Sequence, residues 1–208
     1  MPSSSNLTYS NIVAYTYKLN TEDKLIVHRE TYSTYIIIEG IVVISKIFTN
    51  KEKFSICIID QYQIINTPFN KENQVNYFYQ IQALTTTYLL SFPNKEIQKI
   101  KNIIPNENKQ ILSYYHMIEI LIHKNIRQRL IHLLINLSEF FGQYKKTYIL
   151  INISLSYNTI GSIIGANKNT ISKLIKELEH FKIITYKKQH IIIHDLITLS
   201  YYQQRNSN

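Results

Sequence analysis

Apolar residues change their spacing twice along this chain. From Ile12 to Phe92 they fall in short β-branched and aromatic runs, such as Tyr35 to Ile38 and Ile41 to Ile44, which is the pattern of strands. The Glu39-Gly40 pair between those two runs predicts a hairpin. Further strands are expected at Phe54 to Ile59, Tyr77 to Leu84 and Thr86 to Phe92, with Asn70 to Asn76 as a polar loop. Many short strands at regular spacing suggest a β-sandwich or barrel. Pro93 and then Pro105-Asn106 mark where the strand period stops.

Beyond Asn106 the period becomes helical. The first long helix carries two apolar faces, Ile111, Tyr115, Ile118 and Ile122 on one and Tyr114, Met117 and Leu121 on the other. A helix with two apolar faces needs two partners. One reading buries it within a single domain; the favoured one packs it on its own domain and on a twin, with Ile111, Tyr114, Met117, Ile118 and Leu121 as the dimer-helix residues. A second helix is expected from Ile126 to Phe141, with Gly142 as its stop. The strand Tyr148 to Ile153 then opens a different unit.

Residues 156 to 182 have the spacing of two short helices crossing steeply. Ile160 and Ile164 point inward one turn apart, and Gly161 leaves room for a close approach. Gly165 supplies a turn residue free to take positive φ. Asn167 is a suitable N-cap, and Ile171, Leu174, Ile175 and Leu178 return at helical spacing. A chance αα-hairpin could share this pattern, but the exposed face of the second helix argues for DNA binding. Lys168, Asn169, Ser172 and Lys173 are expected to read base edges, because Asn pairs bidentately with adenine and Lys donates to guanine N7 and O6. Asn167, Thr170 and Lys176 are expected on the phosphate backbone or, for the first two, as helix caps. Two short strands follow, Ile183 to Tyr186 and Ile191 to His194, joined through Lys187-Lys188-Gln189-His190. A basic hairpin tip beside a reading helix is a wing, and Lys187 and Lys188 would add salt-dependent backbone affinity.

Charge agrees with this placement. The net charge is +9, and residues 143 to 208 hold nine Lys and Arg against three acids. A solvated basic face is the bland account; the helix-turn-helix favours a nucleic-acid footprint. The single cysteine, Cys57, lies in the apolar run Ser55 to Ile59, so a buried thiol is expected, with no disulfide or cysteine-held cluster. No apolar run is long enough to span a bilayer and no secretory leader is expected, so a soluble protein of a reducing compartment is anticipated. The polar ends, Met1 to Asn6 and Arg205 to Asn208, have nothing to bury. Heavy use of Ile, Asn, Lys and Tyr, against Gly 4 and Trp 0, suggests an AT-rich genome.

The run Met117 to His123, then Arg129-Leu130, Phe141-Gly142, Leu155-Ser156, Ile164-Gly165 and the Lys187-Lys188 wing together resemble the Crp/Fnr superfamily. Within it they are most similar to the global nitrogen regulators of cyanobacteria and red-algal plastids. The resemblance implies an α+β fold: a β-roll like those that bind cyclic nucleotides, a long dimerisation helix and a C-terminal winged helix-turn-helix. The expected division is 1–105 for the roll, 106–124 for the dimerisation helix and 125–208 for the DNA-binding domain. It further implies a homodimer on double-stranded DNA, reading a palindrome of GTA and TAC type with half-sites about one helical turn apart. Transcription control through RNA polymerase, as an activator, and a location in a chloroplast or a bacterial cytoplasm are also implied. Lys168 and Lys173 stand where that family uses arginine, and Lys lacks Arg's planar fork.

The resemblance implies 2-oxoglutarate as effector, yet the positions do not match. The roll arginine of that site falls on Tyr77, its companion on the dimer helix on Gln110 and the pocket glycine on Ile65. Lys71, Lys109 or His116 could substitute, but a dianion without a fixed cation is costly to desolvate. No effector residue is carried over and no cofactor is expected. An enzyme is not expected either: there is no phosphate loop, nucleophile elbow or carboxylate pair, and the seven histidines, His123 and His132 included, lie on different elements without metal-ligand spacing. The alternative to a regulated DNA reader is a DNA-binding dimer that has lost its effector and acts constitutively or architecturally.

Overall fold

The computed structural model describes residues 14–27, 33–65, 76–93 and 107–202, with the side chains of 107–110 outside that description. The loop at 70–75, the Pro105-Asn106 break, Lys71, the Lys109 and Gln110 side chains and the polar ends lie outside the described residues.

The N-terminal half holds β1 (Tyr15–Leu19), β2 (Lys24–Val27), β3 (Ser33–Glu39), β4 (Val42–Phe48), β5 (Lys53–Ile59), β6 (Ile64–Ile65), β7 (Tyr77–Ala83) and β8 (Thr87–Pro93). They form two antiparallel sheets, ordered β1-β8-β3-β6 and β2-β7-β4-β5. Alternate residues face inward, so Ile37, Val42, Ile44, Cys57, Ile59, Ile81 and Leu89 meet as one apolar core.

The expected hairpin at Glu39-Gly40 does not form. β3 pairs with β8 and β6, whereas β4 pairs with β5 and β7, so the chain passes from one sheet to the other at Gly40. Gly40 has φ +105, and a Cβ there would come within 2.4 Å of Thr87 Oγ1 and 2.7 Å of the Thr86 carbonyl oxygen. The glycine therefore marks a corner pressed against the β7–β8 turn rather than a hairpin loop.

Two long helices follow, α1 (Glu107–Ile122) and α2 (Ile126–Phe141). Asn125 caps α2 by accepting from Arg127 N. Gly142 ends it in extended backbone, not in the left-handed conformation, because Gly142 begins β9 (Gly142–Tyr144), which pairs with β10 (Ile149–Ile151). The last segment runs α3 (Tyr157–Ile164), α4 (Lys168–His180), β11 (Ile184–Lys187), β12 (His190–Ile193) and α5 (Leu196–Tyr201), with β11-β12-β10-β9 as the third sheet.

The halves share a core. Val43 and Leu84 of the roll join Leu130, Leu133, Leu134 and Leu137 of α2 and the apolar residues of α3 and α4. Ser154 N donates to the Leu84 carbonyl at 2.8 Å, and α3 lies against β5. Across this seam Gln82 Nε2 donates to Thr159 Oγ1 at 3.3 Å.

Candidate nucleic-acid interface

Polar bonds fix each end of the α3–α4 unit, most of them within four positions. Ser156 starts α3 by accepting from Thr159 N at 3.1 Å. Gly165 ends it in the left-handed region, φ 72, and its N-terminal neighbour's carbonyl, Ile164 O, accepts from Arg129 at 3.1 Å. A Cβ on Gly161 would stand 2.4 Å from the Ala166 carbonyl oxygen, so the close approach is by the turn itself. Asn167 Oδ1 accepts from both Thr170 N (2.9 Å) and Thr170 Oγ1 (3.1 Å), which makes the pair a helix cap.

Ile171, Ile175 and Leu178 seat α4 in the core. Lys168, Asn169, Lys173 and Lys176 are exposed and make no ion pair or hydrogen bond among the described residues. At 100° per residue they span an arc of about 140°, so one face of α4 presents three ammonium groups and one amide. Ser172 sits within that arc but is half-buried, close to the Tyr157 hydroxyl of α3. That placement leaves Ser172 less free than its position on the helix suggests.

Contacts that sequence spacing did not reveal hold α4 from behind. Arg127 of α2 grips Glu177 bidentately at 2.7 and 3.0 Å, and Tyr202 donates to the same carboxylate at 2.6 Å. The guanidinium and the phenol hold the Glu177 carboxyl below the usual glutamate range. Arg129 donates to the His123 carbonyl at 2.7 Å as well as to Ile164, joining the ends of α1 and α3. Arg127 and Glu177 are 50 positions apart in the chain, and Arg129 and Ile164 are 35 apart, beyond the reach of periodicity.

The wing is a two-residue hairpin with Lys187 paired opposite His190. Tyr186 stacks on Tyr157, ring centroids 4.8 Å apart, and its N–H donates to Glu179. Lys187 is exposed and its side chain is unpaired among the described residues. Lys188 differs: its ammonium lies 2.7 Å from Glu22 Oε2 of the roll. Lys53 of β5 also lines the cleft beside Gly165, Asn167 and Lys168. Its ammonium donates to Gln80 and Gln82, and burial, with Lys24 adding to it, lowers its pKa to about 8.

On α1 the two faces separate. Ile111, Tyr115, Ile118 and Ile122 are 49% to 74% exposed, whereas Met117 is buried and Leu121 and Tyr114 pack on the chain's own cores. The stripe open to a twin therefore contains Ile111 and Ile118 of the five expected residues; Tyr114, Met117 and Leu121 turn inward because the roll and α2 cover that side.

Among the described residues, apolar side chains pack the core of the roll. Ile65 is 1% exposed among Tyr35, Ile59 and Tyr79. Tyr77 stacks edge-on against Tyr79 and carries the Lys46 ammonium 3.6 Å from its ring centroid. His116 faces away, on Glu119 at 3.1 Å and against Phe140. The His123 and His132 rings stack at 3.9 Å.

Comparison with known proteins agrees with this geometry. Residues 128–202 match the Crp-like helix-turn-helix domain. The chain is 30% identical over 195 residues to the HTH-type transcriptional regulator ycf28 of Porphyra purpurea, covering 90% of this chain and 80% of that protein. It is 26% identical over 175 residues to the global nitrogen regulator of Nostoc sp. PCC 7120, covering 80% and 78%. Among solved structures it is similar to a CooA variant from Carboxydothermus hydrogenoformans, TM-score 0.70 at 18% identity, covering 92% and 88%. A CRP/FNR family regulator from Thermus thermophilus gives TM-score 0.64 at 18% identity, covering 89% and 96%.

Proposed function

The chain belongs to the Crp/Fnr family of DNA-binding transcription regulators, and from that premise we propose that it works as a homodimer on a palindromic promoter site, in nitrogen-related gene control. The observation that carries the proposal is the face of α4. Lys168, Asn169 and Lys173 stand free of protein partners among the described residues, on a helix whose inclination is fixed by Gly165 and by the Arg127–Glu177 pair. In this reading they meet base edges, Lys176 and Lys187 meet phosphate, and Asn167 and Thr170 act chiefly as the cap that aims the helix N-terminus at the backbone.

Dimerisation through α1 follows from the exposed stripe Ile111, Tyr115, Ile118 and Ile122, whose 4-3-4 spacing is that of a coiled-coil seam. Nitrogen control rests on similarity to proteins named global nitrogen regulators. Activation through contact with RNA polymerase, and a place in a red-algal plastid, rest on the family pattern, on a Porphyra relative and on AT-rich composition. The relatives are transcriptional regulators, and no catalytic role is assigned to any residue.

A specific observation favours a second reading of the sensor. Ile65, where the family has its pocket glycine, is buried in the roll core with Tyr79, and Lys46, a described cation beside Tyr77, is stacked on that ring. We infer that 2-oxoglutarate does not govern this chain. Calorimetry is expected to show no micromolar binding of 2-oxoglutarate; a micromolar isotherm would overturn that inference. For DNA, selection of bound genomic fragments by the purified protein is expected to yield a two-fold symmetric site. Lys168→Ala and Asn169→Ala should then shift base preference, each costing about 1–3 kcal/mol at its own base pair. Uniform weakening on all sequences would remove them from the base-reading role. Ile118→Asp should convert the dimer to a monomer in sedimentation.

A further inference from the structure

Between β5, α1 and α2 the structure has a cavity of about 330 Å3. That volume lies at the lower end of the range of small-molecule pockets, about 300–1,000 Å3. Its walls are mainly apolar: Ile58, Met117, Leu133, Leu137 and Phe140. Asn136 also lines it, and its side-chain amide makes no hydrogen bond among the described residues. Opposite, Gln63 is nearly buried and donates to Asp60 at 2.6 Å, and Ser113 reaches the Gln63 carbonyl at 3.5 Å. Apolar walls, a free amide and a braced polar corner are what orient a bound small molecule.

We propose that this crevice binds a small apolar molecule, neutral or cationic, with a hydrogen-bonding head, and that its occupant adjusts the DNA-reading helix. The charge class follows from the lining. No Lys or Arg lines the cavity among the described residues, Asp60 and Glu139 do, and His116 is engaged by Glu119. An anion would lose its hydration without a cation in exchange. The described lining therefore suits a neutral or cationic head rather than a dicarboxylate.

The proposed seam and the deeper α1 lining of the crevice lie on different faces of the helix. His116 and Ile120, which line the crevice, are each two residues from Ile118, a rotation of about 160° away from the exposed seam of α1. The route to DNA is short. Leu133 and Leu137 belong to α2, and the first turn of α2 carries Arg127 to Glu177 on α4 and Arg129 to the end of α3. An occupant that wedges α2 against β5 and α1 moves the helix that holds the reading head. This coupling rests on the DNA-reading proposal; the binding site does not.

The chain has no tryptophan, so Phe140→Trp places the chain's single indole, excited selectively over its tyrosines, in the cavity lining. The probe is N-phenyl-1-naphthylamine, a neutral apolar dye, titrated into the full chain without DNA. The expected result is one saturable site per chain with energy transfer from the introduced indole, undiminished by 2-oxoglutarate. Asn136→Phe and Ser113→Phe, which project bulk from opposite walls, should each weaken the dye at least tenfold while retaining the wild-type melting temperature. If one of them misfolds, the other carries the test. Non-saturable binding, or wild-type affinity in a folded filled variant, would overturn the site. Fluorescence anisotropy on an operator fragment, with and without saturating dye, then tests the coupling alone: a several-fold change is expected, and identical curves would overturn it.

Discussion

The winged unit and the roll treat their polar side chains in opposite ways. In the winged unit the bonded groups, Ser156, Asn167, Asp195 and the Arg127–Glu177 pair, all brace helix ends or join helices. They leave Lys168, Asn169, Lys173 and Lys176 outward and unpaired among the described residues. In the roll the buried and half-buried polar groups bond chiefly to one another, Ser45 with Ser55 and Lys53 with Gln80 and Gln82, with Gln82 also reaching Thr159 across the seam, while tyrosines and isoleucines occupy the described core. One half keeps its chemistry free for a partner, and the other closes on itself. On the reading proposed above, a regulator whose reading helix is free and whose described roll core is packed with its own side chains would be governed from elsewhere.

The comparison breaks most severely at Gly165. With φ 72, a β-branched residue there is strained by about 1–3 kcal/mol, and its side chain also meets Arg129. Gly165→Val should lower operator affinity roughly tenfold or more, because the angle between α3 and α4 is lost. The far-ultraviolet signal of the roll strands should persist. Unchanged affinity in anisotropy titrations would show that the turn does not set the reading angle.

How much of this was legible in the sequence also divides along the same line. The α3–α4 unit could be read residue by residue because caps, turns and helical periods act within four positions, as Ser156, Gly165 and Asn167 do. The roll could not, since strand partners are chosen over long separations. Two neighbouring apolar runs joined by Glu39-Gly40 look like a hairpin until the sheets they join are known. Likewise, the inward face of α1 could not be assigned to the chain's own core or to a twin by period alone; packing of Tyr114, Met117 and Leu121 decides it. The Lys188–Glu22 pair joins residues 166 positions apart, and nothing local announces it.

A smaller effect is expected at the brace behind α4. Arg127→Ala leaves Glu177 with Tyr202 alone and should cost about 1–2 kcal/mol, allowing for the pair's partial exposure. The pH dependence has a definite sign. Glu177 is held below its ordinary range, so its contribution is complete above the unfolded value, about 4.3, and is lost as pH falls through the lower folded value. Thermal melts of the wild type should therefore lose stability in that acid window. Glu177→Gln should flatten the loss, and an equally steep acid profile in the variant would assign the dependence to other carboxylates.

The finest distinction between the halves lies where they touch. Lys188 was expected on phosphate, yet its ammonium is 2.7 Å from Glu22, in a pair whose side chains are 52% and 36% exposed. Such a pair is worth at most about 1 kcal/mol, so DNA can win Lys188 by displacing the carboxylate, and Glu22 then acts as a weak competitor of the operator. Glu22→Gln removes the competitor while keeping the shape. Operator affinity should rise by a few-fold or less, on every sequence alike. At the same time the slope of log affinity against log salt should steepen by up to about 0.9, the value of one further phosphate contact. Lys188→Ala should lose that steepening, and in its background Glu22→Gln should have no effect. If Glu22→Gln acts equally with and without Lys188, the gain comes from general charge and the wing lysine is not held in reserve by the roll.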